Sequence, residues 1–338
     1  MFGEDDLSML DNAVVFSLSA NQKLAEAIAA KLNVKLGERV VKKFPSGETL
    51  VEPIDSVRGK QIFIIESTCP PVNEHLMETL IFIDALRRSS AKEINLVCPY
   101  FGYARQDRKA HARQPITAAL VAHLLCAAGL DRIITVNVHA AQIQGFFSCL
   151  ADDLTAVPLL GGALLQTKPD LSNLVVVSPD HGGVGRARDL AEQFNNCPIA
   201  IIDKRRNATG APEVMNLIGD VQGKDCILVD DMIDTGRSAV NAANAIRKFG
   251  AKSVRMAAVH AVFSDPCYDL IKDGKAFDEI IVTDSIPLPE RFAELPFVKA
   301  ISLADMLGEC IYRIVNNMPL SSVYTAFQDS HTLMVKYK

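Results

Sequence analysis

The chain has 338 residues, 49% of them apolar, and a formal net charge of −5, which is room for two packed cores without external staples and argues against a nucleic-acid partner, since no long basic run offsets the acidic balance. No stretch of about 18 apolar residues escapes a charge. The acidic start MFGEDDLSML lacks the basic-then-apolar order of a secretory signal, so no membrane partner is expected and the compartment is read as cytoplasmic.

In chain order, VVFSL, QIFIIES, INLVCPY and RIITVNV read as strands in the first half, and LVVVSPD, IAIID, CILVDD and VRMAAVH in the second. They are short, rich in β-branched residues and apolar on both faces, as in parallel sheets covered by helices. Between them, residues 21–32, 73–90, 116–128, 184–194 and 238–249 carry apolar side chains at i, i+3, i+4 spacing and read as the covering helices. The fold class is therefore α/β with doubly wound, mainly parallel sheets. The composition break at 157–162 (VPLLGG), near TKPD at 167–170, divides the chain into domains at 10–156 and 157–320. Each half runs a strand into a charged loop, RQDRK in one and DHGGVGRAR in the other. A last strand at 280–282 and a helix at 303–315, after Pro287 and Pro289, are candidates to pack back on the first domain. The eight cysteines form no CxxC pair and read as reduced thiols in or near the core.

The sharpest chemical signal is residues 227–238, ILVDDMIDTGRS. Asp230 and Asp231 stand where an apolar strand ends, and Asp234, Thr235 and Gly236 lead into a helix near Ser238. Ligands of open α/β sheets bind beyond the carboxyl ends of strands. Loop N–H groups and a helix N-terminus suit a phosphate, whereas the carboxylates suit ribose hydroxyls or a sugar-bound Mg2+. A plain helix cap needs one acid, and here there are three. Lys204, Arg205 and Arg206 follow the strand IAIID on an expected loop running through NATGAPE. They are either pre-placed cations for a transferring diphosphoryl group or a solvated basic turn. His139 and Asp180, at the ends of RIITVNV and LVVVSP, project towards the cleft. A lone histidine there is more often structural than a metal ligand.

The 227–238 loop resembles the phosphoribosyl-pyrophosphate motif shared by type I phosphoribosyltransferases and ribose-phosphate diphosphokinases. PVNEHLMETL, PYFGYARQDRK, NVHAAQIQGFF, VVSPDHGGVGRAR and AIIDKRR, in this order, closely resemble the ribose-phosphate diphosphokinase family, with correspondence over 44–284. The resemblance implies two tandem type I phosphoribosyltransferase-like domains. It also implies transfer of the β,γ-diphosphate of ATP to the C1 hydroxyl of ribose 5-phosphate, leaving AMP. By that resemblance Lys204 and Arg206 are the catalytic cations. Phe44, Ser46, Gly47, Glu48, Arg105 and Gln106 hold ATP, and His139 and Asp180 hold its Mg2+. Arg206, Asp230, Asp231, Asp234, Thr235, Gly236, Arg237 and Ser238 hold ribose 5-phosphate. The same resemblance implies a homo-oligomer, a hexamer built from dimers with an ATP site partly between subunits, and regulation by phosphate and ADP through regions comparable to Arg58, Ser321 and Ser322.

The sequence departs from the family pattern in several places. Arg237 stands for a glycine and Ser238 for a threonine; Ser46, Asn137 and Ser148 stand where acids are usual, and 207–210 lacks the usual Pro-Arg-Pro. Arg237 would crowd the loop if its backbone required positive φ. These departures keep open a non-catalytic regulatory paralogue. A phosphoribosyltransferase is disfavoured because it would need no ATP segment such as PYFGYARQ.

Overall fold

The computed structural model describes Leu10 and residues 12–167, 169–206 and 212–326, with 204–206, 212–215 and 324–326 as backbone alone. Among these, the short apolar runs become strands because both of their faces are covered. Ile62, Phe63, Ile64 and Ile65, for example, are all at 0% exposure, which only a sheet with helices on each side provides.

The described residues of 1–155, 285–287 and 302–324 form one unit. Its elements are β1 (Ala13–Ser17), α1 (Gln22–Leu32), β2 (Arg39–Lys43), β3 (Thr49–Pro53), β4 (Gln61–Ile65), α2 (Val72–Arg88), β5 (Glu93–Val97), α3 (Thr117–Ala128), β6 (Arg132–Val136) and β7 (Leu150–Leu154). Five strands pair in the order β1-β4-β5-β6-β7, all parallel, and β2 and β3 make a separate antiparallel hairpin.

The second unit begins at Ala156. It contains α4 (Val157–Gln166), β8 (Leu174–Ser178), α5 (Val184–Glu192), β9 (Ile199–Arg206), β10 (Pro212–Ile218), β11 (Asp225–Ile233), α6 (Arg237–Lys248), β12 (Ser253–Ala261), α7 (Cys267–Ile271), β13 (Glu279–Thr283), α8 (Glu290–Ala293) and β14 (Val298–Ile301). Its sheet order is β10-β9-β8-β11-β12-β13-β14, parallel except for β10, which runs antiparallel on β9. Two short helices of the chain follow, α9 (Ala304–Val315) and α10 (Ser321–Ala326).

The fold class is α/β with parallel sheets, as the alternating pattern implies, but several elements differ from the sequence reading. VPLLGG, one residue after the second unit begins, is helical. It opens α4, whose Leu160 and Leu164 are fully buried, and Pro158 is tolerated because the first helical turn has N–H groups without intrahelical partners anyway. The strand at 280–282 stays inside the second sheet between β12 and β14. The following helix, α9, belongs to the first unit and packs on α1. Gly308 permits that approach, since a Cβ there would meet Lys31 Cγ at 2.9 Å, and Lys31 and Asp305 close the contact at 2.7 Å. All eight cysteines are free. No described helix is long and apolar enough to cross a membrane.

Candidate active site

β11 sits between β8 and β12 in the middle of the second sheet and runs through Ile233, so Asp230 and Asp231 lie within the strand's last residues and not beyond it. Asp231 is 5% exposed, whereas the Asp230 side chain keeps 29% exposure. Burial, ahead of the neighbouring Asp231 charge, pushes the Asp230 carboxyl up to about 7. One guanidinium opposes that shift: Arg186 on α5 reaches Asp230 Oδ1 at 3.0 Å and Asp231 Oδ1 at 3.7 Å. The Asp231 N–H also donates to Asp230 Oδ1 at 2.9 Å.

Beyond the strand the chain turns through Asp234 and Thr235 to Gly236 at φ +74. A Cβ at Gly236 would lie 2.8 Å from Cys267 Sγ, so both the backbone angle and the space demand glycine. α6 then starts at Arg237, one residue earlier than expected, with Gly236 as its N-cap. Glycine has no side chain to cap the first N–H groups, which leaves them suited to an anion. The position that needs positive φ is thus 236, and Arg237 is an ordinary first-turn residue, exposed like Ser238.

Asp180 lies on the exposed turn after β8. Its carboxylate accepts from the Gly183 N–H at 3.1 Å, and its carbonyl accepts from Ser178 Oγ at 2.6 Å. On the same turn, His181 Nε2 is 3.2 Å from Asp203 Oδ1 on β9. Lys204, Arg205 and Arg206 correct the sequence reading. They continue β9, paired in backbone register with β10, in place of the expected loop. Their side chains and residues 207–211, including the NATG departure, lie outside what is described.

In the first unit an open pocket of about 690 Å³ is lined by Asn73, Glu74, Tyr100, Tyr103, Arg105 and Gln106 among others. The loop that carries Arg105 is held close to the sheet edge. Gly102 N–H donates to Thr68 Oγ1 at 2.7 Å, and a Cβ at Gly102 would meet Thr68 O at 2.5 Å. Arg105 and Gln106 are exposed, and Gln106 Oε1 accepts from Thr117 Oγ1 at 2.5 Å. Phe44, Ser46, Gly47 and Glu48 do not line this pocket. They form the tip of the β2–β3 hairpin, with Gly47 at φ +90, Phe44 40% exposed and Ser46 Oγ donating to Glu48 Oε2 at 2.6 Å.

His139 does not end a strand, since β6 stops at Val136 and His139 lies exposed three residues on. Between them Asn137 takes φ +47, a conformation asparagine tolerates better than most residues. Its N–H donates to Leu154 O at 2.8 Å and its side-chain amide to Thr155 Oγ1 at 3.3 Å. Asn137, standing where an acid is usual, therefore has a structural role of its own. Asp153, overlooked in the sequence, braces this turn by accepting from Val138 N–H at 3.0 Å and Thr135 Oγ1 at 2.7 Å.

Two further acids escaped notice. Glu66, just past β4, is fully buried, and Glu78 on α2 is 5% exposed. Glu66 accepts from Ala20 N–H at 3.0 Å, and Glu78 accepts from both the N–H and the Oγ of Ser19, at 2.9 and 2.8 Å. Burial first, then the Glu78 charge, raises the Glu66 carboxyl well above the usual carboxylate range. Arg186, Glu66 and Glu78 all sit inside segments quoted above for other reasons. What the sequence lacks is any local sign of which strand each one faces.

Among the described residues no group of three or more His, Cys, Asp or Glu is placed to hold a metal ion. Asp180, an exposed carboxylate, offers the kind of single oxygen donor that Mg2+ takes, whereas the exposed His139 imidazole offers nitrogen. Mg2+ keeps several waters and reaches proteins through one or two carboxylates plus substrate phosphates.

Residues 13–129 match the N-terminal domain of ribose phosphate pyrophosphokinase, and residues 161–285 match the phosphoribosyl transferase domain. The chain is 48% identical over 315 residues to ribose-phosphate pyrophosphokinase 1 of Streptococcus mutans, covering 93% of this chain and 97% of that one. It is 47% identical over 314 residues to the ribose-phosphate pyrophosphokinase of Fusobacterium nucleatum, covering 93% and 98%. The crystal structure of phosphoribosylpyrophosphate synthetase from Mycobacterium smegmatis superposes with a TM-score of 0.85 at 40% identity, covering 91% of this chain and all of that one.

Proposed function

The chain belongs to the ribose-phosphate pyrophosphokinase family, and on that premise we propose that it transfers the β,γ-diphosphate of ATP to the C1 hydroxyl of ribose 5-phosphate. The products are AMP and 5-phosphoribosyl 1-diphosphate. The observation that carries the assignment of substrate is the 230–238 loop. It joins a clamped acidic pair to a glycine at φ +74 and a helix start with no side-chain cap, an arrangement suited to a sugar at one end and a phosphate at the other.

In this reading the phosphate of ribose 5-phosphate meets the first N–H groups of α6 with Thr235, Gly236 and Ser238, and Asp230, Asp231 and Asp234 accept from the ribose hydroxyls. Arg105 and Gln106 bind ATP from their pocket. Phe44, Ser46, Gly47 and Glu48 act from the hairpin tip, which does not line that pocket, and the family resemblance assigns them to an ATP site shared with a second subunit. The C1 oxygen bonds to the β-phosphorus as the bridge to the α-phosphorus breaks towards AMP, and the hydroxyl proton is released. Negative charge spreads over the transferred group, and Lys204 and Arg206 are assigned to stabilise it. Asp180 and His139 are the residues assigned to Mg2+, which would neutralise phosphate charge.

Family membership also supports a homo-oligomer, a hexamer built from dimers, in the cytoplasm, activated by phosphate and inhibited by ADP. Arg58, which donates to Ser90 Oγ at 3.1 Å, and Ser322, which donates to Pro319 O at 3.2 Å, are the residues assigned to that regulation together with Ser321.

The test is an assay of the full chain with Mg2+, phosphate, ATP and ribose 5-phosphate. AMP and 5-phosphoribosyl 1-diphosphate are expected in equal amounts. Binding of both substrates with no AMP formed would leave the non-catalytic paralogue in its place.

A further inference from the structure

Neighbouring residues on a strand point to opposite faces, so a single side chain does not ordinarily touch both. Arg186 nevertheless meets Asp230 at 3.0 Å and Asp231 at 3.7 Å. The Asp231 N–H draws Asp230 Oδ1 back along the strand at 2.9 Å, and Arg186, 17% exposed, bridges the two from α5. We propose that Arg186 is a positioning residue of the sugar site: it fixes Asp230 and Asp231 as a rigid pair of acceptors for the ribose hydroxyls. The proposal rests on the reading of the 230–238 loop as the ribose 5-phosphate site.

Three features give Arg186 this role over simple charge neutralisation. Its own position is fixed, because α5 begins at a turn in which Gly183 N–H donates to Asp180 Oδ1, and a Cβ at Gly183 would sit 2.8 Å from Ser178 Oγ. The guanidinium is a planar fork that addresses two oxygens at once, which a lysine ammonium on a flexible stem does not. Finally, Asp230 keeps 29% exposure while Arg186 approaches one of its oxygens, so the clamp holds the carboxylate without covering it. The two carboxylates repel each other at this separation, and a cation that reaches both offsets that repulsion. Arg186 also ties the strand that carries the acidic pair to the turn that carries Asp180.

The experiment compares Arg186→Gln, Arg186→Lys, Asp230→Asn and the double variant Arg186→Gln/Asp230→Asn in the full chain. It reads kcat, KM for each substrate, Tm, and binding of ribose 5-phosphate without ATP. Arg186→Gln should raise the ribose 5-phosphate KM about tenfold or more while the ATP KM stays within about twofold, and Arg186→Lys should recover part of the loss. The double variant should lose less than the product of the two single effects, since Arg186 acts through the acids. Equal rises in both KM values with a matching drop in Tm would mean a merely structural role and overturn the proposal. So would multiplicative losses in the double variant, which together with Arg186→Lys carries the test if Arg186→Gln does not fold. An Asp230→Asn effect without any Arg186 effect removes the proposal alone. Unchanged sugar binding in Asp230→Asn removes the sugar-site reading beneath it.

Discussion

Each unit carries an acidic pair, and the two pairs are finished differently. In the first unit Glu66 and Glu78 are buried, and their oxygens are taken up by the N–H groups of Ser19 and Ala20 and by Ser19 Oγ. In the second, one guanidinium reaches both Asp230 and Asp231, the Asp231 N–H also donates to Asp230 Oδ1, and Asp230 remains partly open to solvent. Acids satisfied by their own backbone build a loop. A carboxylate that stays partly open, as Asp230 does at 29% exposure, is accessible to something that is not part of the chain. An acidic pair therefore serves structure in one unit and, as we propose, recognition in the other.

The sharpest way to break this contrast is to remove the cations assigned to the open edge. Lys204→Ala should lower kcat by roughly 10²–10³, the loss seen when one pre-placed stabiliser of transition-state charge is deleted, with the circular dichroism spectrum unchanged. A kcat within twofold of wild type, in a steady-state assay with both substrates saturating, would sink the assignment. Next comes a matched pair of acid substitutions. Asp231→Asn should raise the ribose 5-phosphate KM about tenfold or more, whereas Glu66→Gln should leave both KM values alone and change only stability. A KM effect from Glu66→Gln would show that the closed pair is not merely structural.

Glycine gives a comparison of intermediate size. Gly236 and Gly47 both have positive φ, at +74 and +90, but an added Cβ clashes with Cys267 Sγ at 236 and meets nothing within 4 Å at 47. Gly47→Ala should cost about 1 kcal/mol of backbone strain. Gly236→Ala should cost on the order of 2–3 kcal/mol, since overpacking adds to it, and should weaken ribose 5-phosphate binding as the loop shifts. Urea unfolding and sugar titration on both variants would check the difference.

These contrasts also mark what was legible in the sequence. β11 was plain because Ile227, Leu228 and Val229 are apolar on both faces, and so was the acidic loop after it. The β2–β3 hairpin was not, since RVVKK and TLVEP are half exposed and of mixed polarity. β7 was missed for the same reason, with the polar sequence LADDL. The helix over VPLLGG was not legible, because proline and glycine usually interrupt helices. Here the proline falls in the first turn, and Gly161 lets Gln193 pack with its Cγ 3.0 Å from where a Cβ would stand. Arg186 was invisible for a deeper reason. It is 44 residues from Asp230 along the chain, and only the placement of β8 beside β11 brings the helix after one strand over the end of the other.

Proton linkage offers a gentler probe of the closed pair. The Glu66 carboxyl is raised in the folded state, chiefly by burial. A group whose folded pKa lies above its unfolded value favours folding at low pH, and that stability is lost as pH rises through the folded pKa. The amides of Ser19 and Ala20, which the two glutamates hold, should therefore exchange faster with hydrogen at higher pH than intrinsic base catalysis accounts for. Glu66→Gln should flatten that excess.

The smallest effect expected is at Arg237, where the sequence alone raised the largest doubt. Its side chain is exposed and its backbone is that of an ordinary first helical residue, so it neither strains the loop nor is needed to shape it. Arg237→Gly should leave the ribose 5-phosphate KM within about twofold and cost about 0.5–1 kcal/mol of stability through lost helix propensity. A tenfold rise in that KM with unchanged Tm would mean that the guanidinium reaches the sugar phosphate. The open edge would then be held by two arginines, one beneath the acids and one above the phosphate, and this chain would bind its phosphate with a side-chain cation at a position where its relatives' usual glycine offers only backbone.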